Sequence, residues 1–183
     1  MQDFMVDLET MGKGPEAAIV AIGVVEFDLE TSDIGRTFYA KVSLESAMEH
    51  GGKVDASTVM WWLQQSDEAR AELCTDQEHI IDALVGLSRW MRDCCPLEER
   101  RVWGNGATFD NVILKSAYEN CSFDVPWKHW GDRCYRTVKN MVPDIPLVRR
   151  GVHHNALDDA LSQAEHLIRL IGKKVVIDKP SVQ

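Results

Sequence analysis

The first third of the chain has a pattern of apolar and polar positions that is typical of β-strands. Apolar residues occupy positions 4–6, and a longer run rich in Val and Ile extends from Ala17 to Phe27. Polar residues through Gly35 then predict a turn, after which an extended pattern resumes over Thr37–Val42. We therefore predict a three-stranded meander at the start of the chain.

Apolar positions at helical spacing follow in the middle of the chain. Short helices are predicted at Ser57–Gln65 and Ser66–Leu73. Thr75 fits the N-cap of a longer helix. The apolar residues of that helix recur three or four positions apart and are Ile80, Ile81, Leu84, Leu87 and Met91.

The last part of the chain adds one strand and two helices. A short strand is predicted at Arg101–Asn105, a helix from Asp110 to about Glu119, and a last helix after Asn155. Strands first, followed by helices with a returning strand, indicate an α/β fold with a mixed β-sheet. The length suits one domain over residues 1–172, with a short polar tail at residues 173–183.

Composition narrows the class of protein. No apolar run approaches the ~18–20 residues that cross a bilayer, and the first residues lack the pattern of a signal peptide. Five cysteines without a CxxC pair fit a reduced compartment, so we expect a soluble, cytoplasmic protein. The net charge of −9 argues against a wide grip on nucleic acid, but not against a small site in which bound cations supply positive charge.

Two acidic pairs of the form D-x-E occur at the ends of predicted strands. Side chains two apart share a face of a strand, so each pair brings two like charges together, and Mg²⁺ or Mn²⁺ offsets such repulsion. Asp7 and Glu9 end an apolar strand and open onto a loop that contains glycine. Asp28 and Glu30 enter a plain polar turn, which is typical of a solvated hairpin tip. The first pair is therefore the candidate site.

A third carboxylate, Asp110, follows the predicted strand at the point where a loop turns into a helix. Gly104 and Gly106 permit close backbone approach there. Considered alone, Asp110 would be interpreted as an acid that interacts favourably with the helix dipole.

The segment from His153 to Ala160 provides the remaining candidates. Residues five apart do not share a face of one helix, so His154 and Asp159 converge only if the histidine precedes the helix. Asn155 as N-cap fits that arrangement, and Asp158 should point about 100° away from Asp159. The spacing favours His154 over the neighbouring His153.

Together these residues resemble a known family. Asp7–Thr10, Phe109-Asp110 and His154–Ala160 are similar to the three motifs of DEDDh-type 3′–5′ exonucleases of the ribonuclease H-like superfamily. The resemblance spans nearly the whole chain. It is strongest to the RNase T-like branch with RNase AS-type and exonuclease VIII-like members, because Trp61–Leu63 and Ser66–Arg70 resemble a segment typical of that branch.

The resemblance implies a ribonuclease H-like mixed β-sheet flanked by α-helices and a two-metal active site. Two Mg²⁺ or Mn²⁺ ions, roughly 3.5–4 Å apart, would be held by the carboxylates. His154 would act as the general base that takes the proton of the attacking water. The substrate would be the 3′ end of a single-stranded nucleic acid, with RNA favoured, and the products 5′-nucleotides. The implied catalytic residues are Asp7, Glu9, Asp110, His154 and Asp159, of which the four acids bind metal.

Further residues are candidates for substrate binding. Met11 is expected as an apolar wedge against the terminal base, Thr10 as a backbone N–H donor to the 3′ end, and Trp61 and Phe109 as stacking surfaces. Core packing is nevertheless expected for at least three of Trp61, Trp62, Trp90 and Trp103. Candidate contacts to the phosphate backbone are Lys115, Arg136, Arg149 and Arg150.

Several alternatives stay open at the level of the sequence. The same site could act on single-stranded DNA, since no motif indicates a contact to a 2′-hydroxyl. A metal-dependent phosphatase of small nucleotides would share the site chemistry. A non-catalytic nucleic-acid-binding protein of the same fold would be expected to lack one of the five residues. Relatives of this type are often homodimers, which makes a homodimer an expectation here as well.

Overall fold

The computed structural model describes the backbone of residues 2–177 and the side chains of residues 2–172. One five-stranded sheet forms the centre of the molecule. Its strands are β1 (Asp3–Thr10), β2 (Ile19–Phe27), β3 (Ile34–Lys41), β4 (Arg101–Gly104) and β5 (Asp132–Cys134). The helices are α1 (Leu44–Glu49), α2 (Ala56–Trp62), α3 (Asp67–Glu72), α4 (Ile80–Arg92), α5 (Asp110–Asn120), α6 (Tyr135–Met141) and α7 (Ala156–Ile177). Short 3₁₀ turns lie at Leu97–Glu99 and His129–Gly131.

The strand order in the sheet is β3-β2-β1-β4-β5. The first three strands are antiparallel neighbours, whereas β4 runs parallel to β1 and β5 runs parallel to β4. The predicted meander and the predicted mixed sheet flanked by helices are therefore both confirmed. The strand β1 is central, so residues near its carboxyl end can meet side chains from several elements.

The sheet separates two apolar cores, and β1 contributes to both. Even-numbered apolar residues from Phe4 to Leu8 pack with α4 and α5, whereas Met5 packs on the other face with α6 and α7. Asp7 and Glu9 have the same parity as Met5, and side chains alternate along a strand. The acidic pair is thereby directed towards the side of the sheet that α7 covers.

The start of α4 differs from the prediction. Thr75 is not its N-cap, because the chain is still extended at Glu78, whose N–H donates to the carbonyl of Lys41. This residue also forms an isolated bridge with Val42. The N-cap is His79, and its ring Nδ1 accepts the N–H of Ile81 at 3.3 Å. A strand-like contact with the end of β3 therefore delays the helix by several residues.

Other elements were absent from the prediction or end elsewhere. The helices α1 and α6 and the three-residue strand β5 had not been predicted. The last helix continues to Ile177, past residue 172 where the domain was expected to end. The rest of the expected tail, residues 178–183, lies outside the described residues. Within the part of the chain that the structure describes, no helix is both long and apolar enough to cross a membrane.

Candidate active site

Three carboxylates converge where β1 faces the start of α7. Oxygen atoms of Asp7, Glu9 and Asp159 all lie within 4.8 Å of one another. The first two come from β1, and Asp159 comes from the first turn of α7. Glu9 and Asp159 are each only 7% exposed, so little water is available to weaken the repulsion between them.

A glycine in β2 permits this convergence. Gly23 is paired with Asp7 in the sheet, and a Cβ atom at this position would lie only 2.2 Å from the carbonyl carbon of Ala156. Any larger residue would push the N-terminal turn of α7 off the sheet. Gly23 therefore sets how closely Asp159 approaches the carboxylates of β1.

The fourth carboxylate, Asp110, reaches the site from the start of α5. Its Oδ1 accepts the N–H of Leu8 at 3.3 Å, which ties it to the strand that carries Asp7 and Glu9. Its Oδ2 is buried and has no hydrogen-bond partner within the protein. An orphaned carboxylate oxygen beside three other acids is a group that a divalent cation would satisfy.

The surroundings raise the pKa of three of the acids, Asp7, Glu9 and Asp110. Burial, then repulsion from Asp110, Glu9 and Asp159, holds the pKa of Asp7 well above its usual value. Burial, with repulsion from Asp159 and Asp110, raises the pKa of Glu9 to about 8. Burial also raises the pKa of Asp110 to about 7, although hydrogen bonds from backbone N–H groups oppose it. This set of hard, crowded oxygen donors fits Mg²⁺ or Mn²⁺.

His154 lies in the turn before α7, as the spacing to Asp159 had predicted. Its backbone is in the left-handed region, with φ of 66°, and its N–H donates to Asp159 Oδ2 at 3.2 Å. Its ring stacks on the ring of His153, with 3.7 Å between the two ring centroids. The centroid of the Trp61 ring lies 4.8 Å away. Burial, followed by repulsion from His153, lowers the pKa of His154. The ring therefore tends to be neutral and able to accept a proton.

The cap of α7 has the predicted form. Asn155 Oδ1 accepts the N–H groups of Leu157 and Asp158, each at 3.1 Å. The carboxylate of Asp158 turns to the preceding loop and accepts the N–H of Val152 at 2.7 Å, so it does not compete with Asp159 for the site.

The five expected catalytic residues line one groove. Its wall also contains Phe109 and three basic side chains. Arg149 Nη1 donates to Asp159 Oδ1 at 2.6 Å, and the guanidinium of Arg136 is hydrogen-bonded to Asn105. The full lining is Asp7, Leu8, Glu9, Asn105, Phe109, Asp110, Arg136, Lys139, Leu147, Arg149, His153, His154, Asp159 and Gln163. The groove thus combines a buried acidic floor with a basic rim.

A comparison with known protein families fits this arrangement. The model of the 3′-5′ exoribonuclease Rv2179c-like domain matches residues 2–171. The chain belongs to this family. It is therefore a member of a group of 3′–5′ exonucleases that act on nucleic acid.

Individual relatives of this Rv2179c-like domain include a phage enzyme and several solved structures. A protein of Enterobacteria phage T4 described as an exodeoxyribonuclease is 31% identical over 161 residues, covering 75% of this chain and 70% of the phage protein. The nuclease domain of 3′hExo, a DEDDh family member bound to rAMP, superposes with a TM-score of 0.63 at 14% identity, over 93% of this chain and 92% of that one. Exonuclease X in complex with 5′ overhanging duplex DNA superposes with a TM-score of 0.59 at 16% identity, over 95% of this chain and 93% of that one. The fold and the resemblance to DEDDh exonucleases are confirmed.

The expected substrate-binding residues of the Rv2179c-like domain separate into two groups. Thr10, Trp61 and Phe109 line a hollow next to the acidic groove, and Phe109 borders both. Trp61 is 41% exposed there, whereas Trp62 is buried and donates its indole N–H to the carbonyl of Thr10 at 3.0 Å. As expected, three of the four tryptophans considered, Trp62, Trp90 and Trp103, pack in or against the core.

Met11 is not among the described residues that line either the acidic groove or the hollow beside it. Its side chain packs against the core and lines an apolar hollow with Val20, Val59 and Trp62. The cause is that its backbone N–H donates to Ala18, which continues the pairing of β1 and β2 beyond Thr10. The expected role of Met11 as a wedge against the terminal base stays a prediction.

Two of the four basic residues expected to contact the phosphate backbone lie in the groove, and two do not. Arg136 and Arg149 line the groove, but Lys115 pairs with Asp132 and Arg150 pairs with Glu165 at 2.8 Å. The second D-x-E pair behaves as a hairpin turn, since Asp28 Oδ1 accepts the N–H groups of Glu30 and Thr31.

Among the groove residues that had not been predicted from the sequence, Gln163 contacts one of the expected catalytic acids directly. The amide of Gln163 donates to Asp7 Oδ1 at 2.6 Å, and its Oε1 is buried without a hydrogen-bond partner. Gln163 lies four positions after Asp159, so both side chains leave the same face of α7. That spacing is the only signal in the sequence that could have indicated it.

Proposed function

We propose that the protein is a metal-dependent exonuclease that shortens single-stranded nucleic acid from its 3′ end, RNA in preference to DNA, and releases 5′-nucleotides. The observation that carries this proposal is the convergence of four carboxylates from β1, α5 and α7. One of their buried oxygens, Asp110 Oδ2, has no partner in the protein. A site for small-molecule binding alone has no need of so much uncompensated acid.

Asp7, Glu9, Asp110 and Asp159 would hold two Mg²⁺ or Mn²⁺ ions. When bound, the ions supply positive charge that stabilises the phosphate oxygens and the leaving 3′ oxygen and that lowers the pKa of water. Gln163 keeps one oxygen of Asp7 in place by its hydrogen bond. Arg149 and Arg136, on the rim, contribute charge-assisted hydrogen bonds to the phosphates.

His154 acts in this proposal as the general base. The lowered pKa of His154 keeps its ring neutral near neutral pH, so that a ring nitrogen can take the proton of the attacking water. The bond from its backbone N–H to Asp159 fixes the turn that carries the ring. Trp61 and Phe109 offer surfaces on which terminal bases stack whatever their identity, and the backbone of Thr10 borders the 3′ terminus.

The choice of RNA over DNA rests on the family description, which is that of exoribonucleases. The phage relative, described as an exodeoxyribonuclease, supports single-stranded DNA as the second candidate. We place the activity in the cytoplasm, because all five cysteines are free thiols. A homodimer stays a prediction that sedimentation velocity would check.

The test uses matched single-stranded RNA and DNA oligomers labelled at the 5′ end, incubated with Mg²⁺ or Mn²⁺. We expect a ladder that shortens from the 3′ end, faster on RNA, and absent in chelator and in Asp7→Asn. Asp28→Asn removes the first acid of the other D-x-E pair and should leave the rate unchanged.

Three outcomes would contradict parts of the proposal. Hydrolysis of mononucleotides without any ladder would indicate a nucleotide phosphatase, and binding without hydrolysis would indicate a non-catalytic protein. A faster ladder on DNA would overturn the preference for RNA while leaving the exonuclease intact.

A further inference from the structure

A cluster of two imidazoles and one carboxylate lies where the end of α1 meets the start of α4. Glu49 is the last residue of α1, His50 is its C-cap, and His79 is the N-cap of α4. One potential ligand atom from each residue lies within 4.8 Å of the other two, and the two rings are 5.2 Å apart. The three residues are not among the described residues that line the acidic groove.

The hydrogen bonding of His50 leaves one of its nitrogens available. Its Nδ1 lies 2.9 Å from the carbonyl oxygen of Ser46, so Nδ1 carries the hydrogen and Nε2 presents a lone pair. Histidines that bind metals in proteins usually donate their other N–H to a carbonyl or carboxylate in this way, which fixes the ring orientation. His50 is half-buried and already has the form of a metal ligand.

To bind a metal, His79 would have to give up only one hydrogen bond, the one from the N–H of Ile81. Its Nδ1 accepts the N–H of Ile81 at 3.3 Å, which is long for such a bond. If a metal bound at Nδ1, it would replace this bond directly. If it bound at Nε2, the hydrogen would move to Nδ1, and the bond from Ile81 would again be lost. Metal binding should therefore change the environment of the Ile81 amide.

We propose that Glu49, His50 and His79 form a binding site for Zn²⁺ or a similar transition-metal ion. Two imidazole nitrogens and a carboxylate oxygen, with water in the fourth position, are a donor set that suits Zn²⁺. The groove around Asp7, with its many carboxylates, favours Mg²⁺ or Mn²⁺ instead. The two sites thus differ in donor chemistry, and this proposal does not rest on the proposed exonuclease function.

The ion would join α1 to α4. The chain that follows His50, up to Asp55, contacts the loop between β1 and β2. The carbonyl of Lys53, shortly after His50, accepts the N–H of Ala18 at 2.9 Å, and the N–H of Asp55 donates to the carbonyl of Met11 at 2.8 Å. A metal at His50 would hold the start of this segment, and so stabilise the loop that follows β1.

The first test is calorimetric titration of the full chain with Zn²⁺ in excess Mg²⁺. The parent protein carries Asp7→Asn and Asp159→Asn, because Asp159 could also bind Zn²⁺ together with His153 and His154. We expect one Zn²⁺ to bind the parent. The variants to compare are Glu49→Gln, His50→Gln, His79→Asn and, as an exposed control, His129→Gln.

Each variant of the cluster should lose the bound Zn²⁺, and the control should retain it. Asn at position 79 keeps an N-cap side chain, so this variant removes the imidazole without removing the cap. Unchanged stoichiometry and affinity in both His50→Gln and His79→Asn would overturn the proposal.

The second test needs no variant of the cluster, and so it does not depend on how those variants fold. In amide NMR spectra of the parent, Zn²⁺ should shift the Ile81 resonance, whereas Mg²⁺ alone should not. If one equivalent of Zn²⁺ binds without any change at Ile81, the ion lies elsewhere and the site is wrong.

Discussion

At the scale of single residues, the acidic floor of the groove opposes folding and favours metal binding. The pKa of Glu9 rises from 4.5 to about 8, chiefly by burial and then by repulsion from Asp159. An acid with a raised folded-state pKa favours the fold while it is protonated. That contribution is complete below about pH 4.5 and is lost as the pH rises through 8. The metal-free protein should therefore become less stable over this range.

The variant Glu9→Gln tests this account of the floor. Because glutamine cannot ionise, we expect the metal-free variant to be more stable than the wild type at pH 8, by about 1–3 kcal/mol. At pH 4.5 the difference should almost vanish. Denaturant unfolding in chelator at the two pH values measures it. Added Mg²⁺ should stabilise the wild type more than the variant, and a variant that is less stable at pH 8 would contradict the account.

The two adjacent histidines provide a matched pair for the general base. His154→Ala should lower kcat by about 10²–10⁴, because the proton acceptor is lost. His153→Ala keeps the proton acceptor but removes the ring that stacks on it, so its loss of kcat should be much smaller. With saturating metal, the wild-type rate should rise with pH through an ionisation below 6.5, the usual pKa of histidine, since burial lowers the pKa of His154. Single-turnover rates against pH measure both effects, and a larger loss in His153→Ala would shift the assignment by one residue.

At the scale of elements, the local sequence pattern correctly predicted those features that depend on only a few consecutive residues. The parity of β1 gave the shared direction of Asp7 and Glu9, and Asn155 was correct as the cap of α7. Longer-range contacts decided the rest. His79 replaces Thr75 as a cap because Glu78 pairs with the end of β3. The role of Gly23 could not be predicted from the sequence, since it depends on how closely α7 packs against β2.

The cap of α7 is also connected to distant elements. The amide of Asn155 donates to Glu72 Oε2 at 3.0 Å and to the hydroxyl of Tyr39 at 3.2 Å, so α3 and β3 hold the turn of His154. Asn155→Ala should cost about 0.5–2 kcal/mol of stability and also lower kcat. Asn155→Asp keeps a cap oxygen but faces Glu72 with a like charge, so it should lower kcat with the cap retained. Thermal unfolding and kcat, measured on both variants, separate capping from positioning, and a normal kcat in both would contradict the positioning role.

At the scale of the whole molecule, the protein is acidic, with a net charge of −9, whereas the rim of the groove carries basic side chains. Long nucleic acids are held by many phosphate contacts, and an acidic surface disfavours them. Three positively charged side chains, those of Arg136, Lys139 and Arg149, lie beside the carboxylates of the groove. This distribution favours the end of a short single strand over the body of a duplex.

Adjacent arginines test whether the rim binds substrate. Arg149 pairs with Asp159 inside the groove, whereas Arg150 pairs with Glu165 outside it. Since one charge-assisted hydrogen bond contributes about 1.5–3 kcal/mol, Arg149→Gln should raise KM for a single-stranded oligomer roughly ten-fold or more. It should also reduce the salt dependence of binding by about 0.7 in the slope of log K against log salt. Arg150→Gln removes the same charge from the molecule and should change neither quantity. Equal effects of the two variants would show that overall charge, and not the position of Arg149 in the groove, determines substrate affinity.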